Sequence, residues 1–224
     1  MNSLRAGLAY GALGLPLAFV ALPLYVVLPD HYASAYAVPL ASLGLLLLLA
    51  RAADAVADPW IGRAIDRLLA RPPRDWAWVC AAAASLLALC FQGLFFPPVR
   101  GQGALLAWAG LMLAGCYLGY STLTVLHQAW GARLGGDETG RTRVVAWREG
   151  LALAGVILAS LLPGLGGLQL TSVVLATALA LALLALRRAP RPVVDRAPET
   201  VHTGNDSPLA NPRFRRLLRV YLLN

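Results

Sequence analysis

Apolar residues fall in blocks of about 20, parted by short stretches where charge, glycine and proline collect. An α-helix rises about 1.5 Å per residue, so each block is long enough to cross the roughly 30 Å hydrocarbon of a bilayer. The pattern predicts six spans, at about residues 4–28, 35–57, 76–97, 103–130, 144–162 and 168–186. The expected fold class is an all-α polytopic membrane protein, a six-helix transmembrane bundle over residues 1–188. The first apolar body runs longer than a signal-peptide core and five more follow it, so it reads as a retained helix. Residues 189–207 are proline-rich and polar and read as a linker. Residues 208–224, "PLANPRFRRLLRVYLLN", turn basic and apolar like the start of a truncated seventh helix. On that reading the chain is the first half of a longer protein.

Composition agrees with lipid as solvent: 58% of the 224 residues are hydrophobic and 13% charged, where soluble domains carry about a quarter charged. The net charge of +8 comes from 19 basic residues, all arginine. Seventeen lie at the start of span one, in the second and fourth connections or the opening of span five, or after span six. Arg100 stands alone on the opposite side, and Arg51 lies within a helix end. Arginine confined to alternate connections is a topology signal, not a nucleic-acid surface. It predicts a cytoplasmic N-terminus; the lysine-free composition, rich in Ala, Leu, Arg and Gly, looks like that of a GC-rich bacterial genome, and the expected location is a bacterial inner membrane. Cys80, Cys90 and Cys116 sit inside apolar blocks without CxxC spacing and read as small packing residues. No GxSxG, HExxH, CxxC or GxxxxGK[ST] motif is present, so neither an enzyme nor a cofactor is expected.

Three stretches carry candidate chemistry. In "ARAADAVADPWIGRAIDR", Asp54 and Asp58 are one helical turn apart, with Arg51 a turn earlier. Two such carboxylates can ligate a hard monovalent cation or share a proton. Equally, Asp58 before Pro59 can cap a short helix while Asp54 pairs with Arg51. Gly62, Asp66 and Arg67 follow, a place for a charge lock between helix ends that breaks on gating, or for a solvated loop. In span four, Tyr120, Thr124 and Gln128 share one stripe that suits hydrogen bonding to a polar solute or to a neighbouring helix. His127, off that stripe, is read as a satisfied helix-contact histidine rather than a proton site. Gly7 and Gly11, and Gly115 and Gly119, have the small-xxx-small spacing of close intramolecular helix packing.

Taken together, these stretches resemble the glycoside–pentoside–hexuronide:cation symporters, the melibiose-carrier-like branch of the major facilitator superfamily. The resemblance rests on Tyr10-Gly11, on "ARAADAVADPWIGRAIDR", on Tyr120, Thr124 and Gln128, and on "D...RTR...WRE" from Asp137 to Glu149. It implies the N-terminal half of a twelve-helix carrier with alternating access. It further implies coupling to Na+ or H+ at Asp54 and Asp58, and solute contacts at Tyr120, Thr124, Gln128 and Arg148. Gating is implied at Arg51, Gly62, Asp66, Arg67, Asp137 and Arg141. Melibiose carriers have a Lys-Asp pair where this chain has Leu17 and Ala18, an acid at Thr124 and a tryptophan at Gln128. Those departures argue against galactosides and for another sugar, a glycoside or a less polar solute. The expected partners are that solute, membrane lipid and a C-terminal six-helix half, without which the bundle lacks one cavity wall. The competing expectation is a six-span scaffold or truncated product that does not transport.

Overall fold

The computed structural model describes residues 4–134 and 138–189 and is all-helical over them. Its first membrane-length helix is continuous in direction but not in register. It comprises α1 (Leu4–Gly11), α2 (Gly14–Leu22), a π-helical turn (Pro23–Val27) and α3 (Leu28–Tyr36). The prolines cause the changes of register. Pro16 has no N–H to give Ala12 O, which instead accepts a 3.3 Å bond from Leu15 N. Around Pro23 the ladder widens, and Leu28 N donates to Pro23 O five residues back. The helix continues through "PDHYASA", where a loop was expected, and stops at Ala37 in the left-handed region (φ 53°). Helix two therefore begins at Leu40, not residue 35.

α4 (Leu40–Leu69) corrects a second expectation. It runs unbroken past residue 57 and through Pro59, so Asp58 caps no new helix. A proline loses one backbone bond but need not end a helix whose other turns are intact. α5 (Pro73–Phe95) and α6 (Gln102–Ala132) lie within three residues of the expected spans. α7 (Glu138–Leu186) extends over 49 residues and is broken at Gly166 (φ −145°, ψ 16°) and Gly167 (φ 68°, ψ −173°). The break falls inside the expected connection at residues 163–167, but at its glycine pair, since Pro163 is carried within the helix and Gly166–Gly167 supply the turn. Among the described residues, five helices have the length and apolar character to cross a membrane, α7 counting once. The expected linker at 190–207 and seventh helix at 208–224 lie outside the described residues.

Glycines set the closest approaches. A Cβ on Gly7 would collide with the Trp147 ring, and one on Gly14 would lie 2.6 Å from Arg148 O. On α7, Gly155 faces Leu15 O. These contacts seat α1 and α2 against the first half of α7. Gly119 does the same for α6, its absent Cβ leaving room for Ala83 O of α5, and Gly115 faces Cys90. Both small-residue motifs thus serve packing inside the chain, as their spacing suggested. Tyr10, Phe19, Tyr32, Phe91 and Leu113 lie in the apolar core these helices enclose.

Candidate functional site

Close seating of α2 on α7 brings Leu17 and Ala18 opposite Arg148 and Glu149, and α6 closes a third side. The result is a small open cavity of about 140 Å³, lined by these residues and by Tyr120, Thr124, His127 and Gln128. All four residues expected to meet solute are therefore gathered in one place. Thr124 Oγ1 is buried there without a hydrogen-bond partner, as is Tyr117 Oη of the same helix, each a polar group left unsatisfied in this conformation. Arg148 donates from Nε (3.0 Å) and Nη2 (2.7 Å) to one oxygen of Glu149. Gln128 and Arg148 also line a larger cavity of about 460 Å³ with Tyr10, Gly131 and Arg141. His127 is buried and already engaged: its Nε2 lies 2.9 Å from Tyr10 O, while Tyr10 Oη donates to His127 O over 2.9 Å. A carbonyl only accepts, so Nε2 carries the proton in that contact. The ring serves as wall.

The two aspartates differ sharply. α4 buries only four residues, and Asp54 is one of them at 6% exposure. Its Oδ2 accepts from Arg51 Nη1 at 2.8 Å, and its Oδ1 accepts from Ser121 Oγ of α6, also at 2.8 Å. A buried carboxylate needs such partners. Asp58 is exposed, one turn on, and has no hydrogen bond or ion pair among the described residues. Neither aspartate lines the cavity that holds Thr124. Among the described residues, no group of three His, Cys, Asp or Glu side chains has metal-site spacing.

Of the residues expected to gate, Asp66 meets Arg133 at the end of α6, at 3.9 Å and with 73% of its side chain exposed. A pair so open contributes little stability at rest. Arg67 is exposed and not part of it. Gly62 has open space where a Cβ would stand. Arg51 holds Asp54, Arg141 lines the larger cavity, and Asp137 lies outside the described residues. Beside Asp66, Trp76 Nε1 donates to Leu68 O at 2.6 Å and stacks edge-on against Trp130. This ties α4, α5 and α6 together at one end.

A family model described as MFS/sugar transport protein matches residues 6–188. The chain belongs to that family. The MFS sugar-transport assignment makes it a multi-pass membrane protein of a transporter lineage. Its curated relatives include the inner membrane symporter YicJ of Escherichia coli (strain K12), 28% identical over 131 residues. That alignment covers 58% of this chain and 28% of YicJ, so the matched part spans under a third of the relative's length.

Within the MFS frame, two partners were not anticipated from sequence. Ser121 was passed over because it falls between the positions of the Tyr120 stripe and turns toward α4. Its only sequence signal is a small hydroxyl residue on the helix that faces the aspartate-bearing one. Arg133 lies in the fourth connection with other arginines, and nothing in its neighbours marks it as the partner of Asp66.

Proposed function

We propose that this chain is the N-terminal six-helix half of a cation-coupled symporter, with Na+ or H+ driving uptake of a sugar, glycoside or related small solute. The observation that carries the reading is the hydrogen bond from Ser121 to the buried carboxylate of Asp54. Ser121 and Tyr120 are consecutive on α6, so one turn of helix touches Asp54 on one side and the solute cavity on the other. A cation or proton arriving at Asp54 competes with the Arg51 and Ser121 contacts, and any shift of Ser121 is felt at Tyr120. Asp58, exposed and a turn away, supplies the second carboxylate.

On this reading the break at Gly166–Gly167 divides α7 into two spans, giving six among the described residues. An unbroken helix of 49 residues would be about 74 Å long, far more than a bilayer accommodates. The arginine-rich ends then face the cytoplasm of a bacterium, as the positive-inside rule requires. The cavity of about 140 Å³ is smaller than the roughly 300 Å³ at which closed ligand pockets begin, which suits one wall of a cleft whose other wall is a C-terminal half. Glu149 neutralises Arg148, favouring a neutral polyhydroxylated solute over an anion. The chemistry on offer is binding and release, with no bond made or broken.

The test is solute uptake by the carrier with both halves, as wild type, Asp54→Asn and Asp58→Asn, across Na+ concentration and pH. Cation stimulation should vanish in both variants. Stimulation of normal size in both would refute the coupling assignment.

A further inference from the structure

A large cavity among the described residues lies apart from the proposed solute site. It is a groove of about 1130 Å³ between α1 and α2 on one side and both halves of α7 on the other. Its walls are alanine, leucine and valine, apart from Thr177, Arg5 and Arg188. Thr177 spends its hydroxyl on Val173 O, 2.8 Å away, leaving the two guanidiniums as the polar groups that face a ligand. Arg5 stands in the first turn of α1 and Arg188 just past the end of α7. Both are exposed, and among the described residues neither has an ion pair or side-chain hydrogen bond. Among the described residues, no acidic one lines the groove.

We infer that this groove seats an anionic phospholipid, with its phosphate between Arg5 and Arg188 and an acyl chain along the α1–α7 wall. Length supports the assignment. From Val174 to Arg188 the α7 lining advances about 21 Å at 1.5 Å per residue, against about 15 Å for one leaflet's half of the hydrocarbon. The groove therefore runs from headgroup level to about the midplane. Away from its two arginines the groove offers a sugar no free hydrogen-bonding group, whereas an acyl chain needs none. Basic ends of grooves between transmembrane helices suit anionic headgroups, and a guanidinium pairs with phosphate in a fork that a choline headgroup's cation opposes.

The proposal is tested by native mass spectrometry of the 224-residue chain in detergent, dosed with equal phosphatidylglycerol and phosphatidylcholine. Phosphatidylglycerol should be retained in preference, and Arg5→Gln with Arg188→Gln should cut that preference about tenfold. Arg71→Gln with Arg143→Gln, exposed arginines outside the groove, should leave it intact. Ala178→Phe should lower retention of both lipids by filling the groove, and inorganic phosphate should not compete. Equal retention of the two lipids, equal loss in the control pair, or a second copy of the chain occupying the groove would each overturn it.

Discussion

Asp54 is the residue on which the account turns, because a buried carboxylate must be held or neutralised. Arg51 and Ser121 hold it in this conformation. Removing a hydrogen bond to a charged acceptor costs about 1.5–3 kcal/mol. Ser121→Ala should therefore lower thermal stability measurably and weaken cation stimulation of uptake, while Ser121→Thr, which keeps the hydroxyl, should restore most of both. A Ser121→Ala carrier with unchanged cation dependence would remove Ser121 from the site. Asp54 itself was legible in the sequence as a carboxylate where a hydrophobic span turns polar. That it would be buried and Asp58 exposed was not, since both lie on the same broad face and only the neighbouring helix separates them. Thr124 has a buried unpartnered hydroxyl and is proposed to meet solute, so Thr124→Val should reduce solute affinity without altering stability by more than about 1 kcal/mol.

Helices were legible as apolar blocks, but their ends were not. Proline and polar residues in "PDHYASA" and at Asp58-Pro59 look like punctuation, yet the helix passes through both. Proline ends a helix only where neighbouring turns cannot take up the lost bond. The true stop at Ala37 carries no glycine, so this alanine holds φ 53° at a cost of about 1 kcal/mol. Ala37→Gly should accordingly raise the unfolding midpoint in detergent. Glycine spacing was more informative than proline, because close approach has a physical requirement no other residue meets. Gly14→Leu should disrupt the α2–α7 seam, costing at least about 1–3 kcal/mol and displacing Arg148 from the cavity. Gly62→Ala, which meets only open space, should be neutral or stabilising by up to about 1 kcal/mol. If both substitutions have the same effect on thermal unfolding, the packing account of the glycines fails.

At the scale of the molecule, one helix joins two chemistries. α6 presents Ser121 to a buried acid on α4 and Tyr120, Thr124 and Gln128 to a cavity walled by α2 and α7. Membership of the MFS/sugar transport family places that arrangement in a transporter lineage, and the proposed second half completes the cleft. The proposed coupling would be reciprocal: whatever factor a cation adds to solute affinity, the solute adds to cation affinity. The most direct measurement is therefore a double titration of the carrier with both halves, solute binding against Na+ or pH and the reverse. In wild type each ligand should tighten the other by the same factor. Asp54→Asn should abolish the coupling while solute still binds, and Gln128→Ala with Thr124→Val should weaken solute while the cation still binds. Solute affinity that is independent of both Na+ and pH in the wild-type carrier would contradict the account.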